Sequence, residues 1–195
     1  MRAWGVLVVL CVMGCTTGMG LGVGAGGGNS MVGMSSMTSG GGMGGAGGNA
    51  QHAPPSDPLA FMEWPTGLWW AQSDDRGHLV VLTSWGTSCR ACVEALPQLE
   101  AIRKQFADRG VHVYAINVEP DPTRFPGLLK TLPAYPPVLV DPSGQRLAVV
   151  LGMGSIPTTW VLSGDGKVAW FQEGWDNNIA AALSAKLRAL VGGGT

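Results

Sequence analysis

From residue 79 onward, the order of apolar and polar residues predicts alternating strands and helices. A continuous apolar run over residues 79–85 predicts a strand that is buried on both faces and therefore lies inside a sheet. Apolar residues then recur at helical spacing, which predicts a helix with one face on the core; they are Val93, Leu96, Leu99, Ile102 and Phe106. This helix should end near Gly110, and residues 111–118 predict a second strand. The order strand, helix, strand predicts a right-handed crossover between two parallel strands.

The remainder of this region predicts short strands separated by turns. The segment between Val118 and Val138 is interrupted by prolines and has a short helical pattern over residues 125–132. A turn at residues 163–166 between two apolar segments predicts a hairpin. The remaining predicted elements are three strands and a final helix, at residues 136–140, 158–162, 167–171 and 177–190. The whole pattern predicts an α/β fold.

The beginning of the chain predicts a targeting signal. Arg2 is followed by an apolar run over residues 3–13, which has the length of a signal-peptide core and is too short to span a bilayer. The run ends in Val12-Met13-Gly14-Cys15, which resembles the bacterial lipobox, with Cys15 as the lipidated residue. We therefore expect residues 1–14 to be a lipoprotein signal peptide; an ordinary secretory signal with an incidental cysteine is the alternative.

A glycine-rich segment follows and predicts a flexible tether over residues 15–56. From Gly18 to Gly48 it contains no charged residue and cannot bury enough surface to fold. It also carries recurring methionines, whose thioethers suit Cu(I); they are Met31, Met34, Met37 and Met43. The simpler interpretation of these methionines is biased low-complexity sequence. One folded domain is then expected over residues 57–192.

Charge and length limit the functions open to this domain. The net charge of the 195-residue chain is −1, and acidic and basic residues are interspersed in its C-terminal part. The sequence contains no basic patch of the kind that binds nucleic acid, so we expect no nucleic-acid partner. An exported domain occupies a compartment in which disulfides persist.

Two cysteines lie where the first predicted strand leads into the helix. The N–H groups and dipole of the helix would stabilise the thiolate of Cys89, and one helical turn brings Cys92 within disulfide reach. This arrangement predicts a redox pair with Cys89 as nucleophile and Cys92 as resolving cysteine. The alternatives are a structural disulfide and half of a zinc site, although no second CxxC motif or close histidine pair would complete four ligands. We expect no metal and no cofactor.

Three motifs resemble the TlpA/ResA-like branch of the thioredoxin superfamily over roughly residues 79–190. They are the CxxC motif with Pro97 five residues after Cys92, the stretch Ile156-Pro157-Thr158-Thr159-Trp160-Val161-Leu162, and the turn Asp165-Gly166-Lys167. The resemblance implies a thioredoxin-like fold with a central mixed β-sheet flanked by helices. It also identifies the segment between Val118 and Val138 as a TlpA-type insertion.

The same resemblance implies further site residues. Pro157 would follow a cis peptide bond and face the cysteines, and Ile156 would offer backbone hydrogen bonds to a bound substrate chain. Glu119, after the second strand, would accept the proton of the resolving thiol. Asp121 is a near competitor for this role, and a solvated loop carboxylate is the alternative interpretation of Glu119.

The chain also departs from the family pattern around the cysteines. Ser88, Ala91 and Ala95 stand where the family usually has Trp, Pro and Glu. Arg90 is expected to contact substrate and stabilise the Cys89 thiolate, or else to be a solvated surface charge. Trp85 is expected to line the substrate site, with the core as the alternative location.

These observations predict an envelope thiol-disulfide oxidoreductase. It would act on the periplasmic or extracellular side of a membrane, held there by its lipid anchor, and reduce or exchange disulfides of cysteine-containing exported proteins. Its electrons would come from a membrane donor that the sequence does not name. Two other functions are a Cu(I)-handling metallochaperone that uses the CxxC motif and the Met-rich tether, and a non-redox binding module on the same scaffold.

Overall fold

A computed structural model of the chain describes residues 56–193. The predicted signal peptide, the lipidation site Cys15 and the methionine cluster lie outside the described residues. Within residues 56–193, no helix has the length and apolar character needed to cross a membrane.

The described chain contains seven strands and four α-helices. In chain order the strands are β1 (Ala60–Trp64), β2 (Trp69–Ala71), β3 (Leu79–Trp85), β4 (Val111–Asn117), β5 (Val138–Val140), β6 (Thr158–Leu162) and β7 (Val168–Glu173). The helices are α1 (Arg90–Phe106), α2 (Phe125–Leu129), α3 (Gln145–Leu151) and α4 (Asn177–Gly192). All seven strands belong to one sheet, in the order β2-β1-β5-β4-β3-β6-β7.

The sheet is mixed, with β3 in its interior. β3 pairs with β4 in parallel, from Leu79 opposite Val111 to Trp85 opposite Asn117. On its other side β3 pairs with β6 in antiparallel orientation. The structure confirms the predicted parallel pair, β3 and β4, which α1 connects in sequence. It also confirms the predicted hairpin of β6 and β7.

Neighbouring residues of β3 face opposite sides of the sheet, and each side has its own core. Val81 packs in a cluster with residues of α1 and α4, among them Leu99 and Leu183. Val80 and Leu82 pack in a second cluster that includes Leu147 of α3. Because successive side chains of β3 point to opposite faces and helices cover both faces, nearly all of them are buried. This is why β3 has a continuous apolar sequence.

Some elements differ from the sequence-based expectation. The β1–β2 hairpin and α3 were not predicted, because these elements are short and their exposed positions carry apolar residues such as Met62 and Val149. Helix α2 ends at Leu129, three residues before the predicted end, because the chain then forms turns before Pro133. Strand β7 extends to Glu173, two residues beyond its predicted end.

Candidate active site

The two cysteines lie at the N-terminus of α1, immediately after the loop that leaves β3. Cys89 occupies the N-cap position, and its Sγ accepts a hydrogen bond from the backbone N–H of Cys92 at 3.2 Å. The first turn of this 17-residue helix contains no acidic side chain that would offset the positive end of its dipole. A thiolate at Cys89 is therefore stabilised by a backbone donor and by the helix terminus.

The two cysteines form a disulfide, and they differ greatly in their exposure to solvent. Their Cα atoms are 5.2 Å apart. Cys89 is half-buried, whereas Cys92 is 0% exposed and belongs to a core cluster with Leu96 and Ala115. Only the sulfur of Cys89 can be reached by an incoming substrate without opening the core. The difference in exposure supports Cys89 as the attacking cysteine.

The loop before β6 lies against Cys89. The Ile156–Pro157 peptide bond is cis, as the family resemblance implied. The carbonyl oxygen of Ile156 lies 3.9 Å from the Sγ atom of Cys89. Pro157 is buried and Ile156 is half-buried, so the loop presents part of its backbone beside the accessible sulfur. Substrate binding by Ile156 and Pro157 stays a prediction.

Glu119 lies beside the loop that carries Cys89. The hydroxyl of Thr87 donates to one carboxylate oxygen at 2.6 Å, and the amide of Asn117 donates to the other at 3.3 Å. The Cγ atom of Glu119 is 3.5 Å from the position that a Cβ atom would take on Gly86. The carboxylate is thus half-buried and held next to the redox loop rather than solvated in a free loop.

Asp121, the competitor of Glu119, has a different local role. It is exposed, and one of its oxygens accepts hydrogen bonds from the hydroxyl and backbone N–H of Thr123. These bonds, the hydroxyl first, lower the pKa of Asp121. The residue therefore caps its own turn, and the role of Glu119 as proton acceptor stays a prediction.

Arg90 is a surface residue that pairs with its own helix. Its side chain is 92% exposed, and Nε donates to Glu94 at 2.8 Å, one helical turn further on. The hydrogen bond that Arg90 donates to the Glu94 carboxylate raises the pKa of Arg90. Because the guanidinium is paired and solvated, its effect on the Cys89 thiolate is small. A contact between Arg90 and substrate stays a prediction.

The prediction that Trp85 lines the substrate site is wrong. Its side chain is fully buried and packs edge-on against Phe125, with ring centroids 5.7 Å apart. Trp64 also packs edge-on against this phenylalanine, at 5.4 Å. Trp85 is the last residue of a strand whose both faces are covered, so it supports the site from within the core.

Sequence reasoning missed three polar residues that hold the site: Ser84, Thr87 and Asn117. Ser84 and Asn117 are fully buried at the ends of parallel strands, and Thr87 lies in the loop between β3 and Cys89. Their position at the carboxyl ends of β3 and β4 is a sequence signal, since the adjacent ends of parallel strands lie together. Ser84 and Thr87 bond to distant segments, at Thr158 and Glu119, whereas Asn117 donates to Glu119 only two residues further along the chain.

Metal binding gains no support from the described part of the chain. There, no group of three or more His, Cys, Asp or Glu side chains is placed to hold a metal ion. The Nδ1 atom of His112 instead shares a hydrogen bond of 2.7 Å with the Asp75 carboxylate, and its ring stacks on His78. Within residues 56–193, the CxxC motif is therefore not part of a cluster of three or more such ligands.

Comparison with known proteins identifies the same chemistry in similar chains. A model of the AhpC/TSA family matches residues 66–171. The thiol-disulfide oxidoreductase ResA of Bacillus subtilis is 31% identical over 96 residues, which are 49% of this chain and 53% of that protein. The chain thus spans about half the length of the ResA proteins that it matches.

Solved structures extend the likeness to the fold. The crystal structure of a protein described as the thiol:disulfide interchange protein DsbE of Chlorobium tepidum has a TM-score of 0.63 and 26% identity, covering 68% of this chain and 92% of that one. The exposed lipoprotein thioredoxin of Streptococcus pneumoniae has a TM-score of 0.57 and 27% identity, covering 66% and 98%. The fold is therefore thioredoxin-like, as the sequence motifs implied.

Proposed function

The chain belongs to the AhpC/TSA family, and on that premise we propose that it is a thiol-disulfide oxidoreductase that reduces or exchanges disulfides of exported proteins. The observation that carries the proposal is the unequal exposure of Cys89 and Cys92 at the N-terminus of α1. One sulfur meets the substrate and the other stays in the core until it is needed.

The reaction begins with the dithiol form of the protein. The Cys89 thiolate attacks one sulfur of a substrate disulfide; a mixed disulfide forms, and the second substrate sulfur leaves as a thiolate. The thiol of Cys92 then loses its proton, for which we infer Glu119 as the acceptor, and its thiolate attacks the sulfur of Cys89. The substrate leaves with both cysteines reduced, and two electrons have passed from the Cys89–Cys92 pair to it.

The location of this activity rests on the N-terminal segment. A signal peptide over residues 1–14 and a lipid on Cys15 would hold the domain on the periplasmic or extracellular side of a membrane, with residues 15–56 as tether. A similar chain in Streptococcus pneumoniae is itself described as an exposed lipoprotein, which supports this part of the proposal. A membrane donor would return electrons to the disulfide after each cycle.

The test of this function is reduction of a protein disulfide. We expect the reduced protein to reduce insulin stoichiometrically and to have a midpoint potential below roughly −180 mV in a glutathione buffer. Helix-end interactions of about 0.3–2 kcal/mol shift the potential by only some tens of millivolts, since 30 mV is about 1.4 kcal/mol for two electrons. Failure to reduce insulin would contradict the function. A potential near about −120 mV would contradict the reducing direction.

Glu119→Gln should slow the second step of the cycle. Glutamine still accepts the hydrogen bond from Thr87 but cannot take a proton, so we expect release of the mixed disulfide to slow about ten- to a hundredfold and its pH profile to shift. Stopped-flow measurement across a pH series checks this. Asp121→Asn is the matched control and should change neither rate nor profile. An unchanged profile in Glu119→Gln would show that this carboxylate does not accept the proton.

A further inference from the structure

Strands β3 and β6 are joined beyond the end of their backbone ladder by one side chain. The ladder runs from Val80 opposite Leu162 to Thr83 opposite Thr159. At the next position, the backbone N–H of Thr158 donates to the Oγ atom of Ser84 at 2.9 Å. The hydroxyl of Ser84 in turn donates to the carbonyl oxygen of Thr158 at 3.3 Å. The serine hydroxyl thus bonds to both polar backbone groups of Thr158, which pairs with Glu173 of β7 on the other side.

These hydrogen bonds lie in a dry part of the molecule. Ser84 and Thr158 are both 0% exposed. Without the hydroxyl, the N–H and C=O groups of Thr158 would lose the partner that Ser84 supplies, at a buried position. An unsatisfied buried polar group costs about 1–3 kcal/mol, so the loop would shift to regain partners.

The segment held in this way includes the backbone that lies beside Cys89. Thr158 directly follows Pro157, and the carbonyl of Ile156 lies 3.9 Å from the Sγ atom of Cys89. Gly174 of the loop after β7 donates its N–H to the carbonyl of Pro157 at 2.8 Å. Ser84 supplies the link from the other side, and it belongs to the strand that leads into Cys89. One hydroxyl therefore connects the two chain segments that form the site.

We propose that Ser84 is a positioning residue, whose hydroxyl holds the Ile156–Pro157 backbone beside Cys89 so that a substrate polypeptide can bind along it. The inference rests on the proposed function, because it assigns this backbone to polypeptide binding. The proposal predicts that Ser84 promotes the reaction with polypeptide disulfides and leaves the intrinsic reactivity of the Cys89 thiolate unchanged.

The test compares Ser84→Ala with Thr83→Val on two disulfides. Thr83 and Thr159 share a buried hydroxyl–hydroxyl bond of 3.0 Å, so Thr83→Val removes a similar bond one residue earlier without touching the loop. We expect Ser84→Ala to lower kcat/KM for insulin about five- to tenfold, mainly through KM, while the rate with the small disulfide 5,5′-dithiobis(2-nitrobenzoic acid) changes less than twofold. Thr83→Val should alter neither value by more than twofold.

Two outcomes would overturn the proposal. One is a general loss of activity: Ser84→Ala and Thr83→Val lower kcat/KM for insulin equally, or Ser84→Ala slows the reactions with insulin and with the small disulfide equally. Either result would indicate an effect on stability. The other concerns the unmodified protein: the Thr158 amide should exchange with deuterium as slowly as the other amides of β6, and fast exchange would show that Ser84 does not hold it. Absence of insulin reduction by the unmodified protein would instead contradict the proposed function, and the exchange measurement would still decide the role of Ser84.

Discussion

Cys92→Ala is expected to stop turnover and to accumulate a covalent complex between Cys89 and its substrate. The reason is structural: the half-buried Cys89 still meets the substrate, but the buried thiol that would release the mixed disulfide is gone. Cys89→Ala should lose turnover as well and trap nothing, because Cys92 has no access to a substrate. We expect turnover to fall by on the order of a thousandfold or more in each variant, as when one member of a catalytic unit is removed.

Electrophoresis without reductant, followed by mass spectrometry of the trapped complexes, checks this result. The chain contains four cysteines, so the matched control is the double variant Cys89→Ala/Cys92→Ala, which keeps Cys11 and Cys15. Complexes that persist in the double variant do not involve the redox pair. Trapping by Cys89→Ala and not by Cys92→Ala would reverse the roles of the two cysteines. The partner in a specific complex would identify a substrate.

Phe125→Ala is expected to have the largest effect on stability of the substitutions considered. The ring is fully buried and packs edge-on against both Trp64 of β1 and Trp85 of β3, at 5.4 and 5.7 Å. Its removal leaves a cavity between the inserted helix α2 and the strand that leads to Cys89. Loss of a buried phenylalanine side chain costs about 3–5 kcal/mol, so we expect the free energy of unfolding to fall by this amount.

Urea unfolding, followed by tryptophan fluorescence, measures the change. Leu128→Ala on the same helix is the matched control; this residue is half-buried and should cost clearly less than Phe125→Ala. Equal and small losses in the two variants would mean that α2 contributes little to the core, and that Trp85 is positioned without it.

The sequence alone was sufficient to locate the redox pair and the elements around it. The apolar run of β3, the helical spacing of α1 and the position of Cys89 between them are local patterns. Each depends on residues within a few positions of one another, and hydrophobic periodicity reports such relations directly. The cis Ile156–Pro157 bond came from the family resemblance rather than from periodicity.

The contacts that shape the site depend on how distant segments pack. Ser84 meets Thr158 across 74 positions and Thr87 meets Glu119 across 32, and no local pattern reveals either contact. Trp85 follows the same rule, since its burial results from Phe125 in a helix inserted 40 residues later. The sequence therefore determines which cysteines can react, because that chemistry is local. Side-chain exposure and hydrogen-bond partners exist only after the strands and helices pack, so they required the tertiary structure.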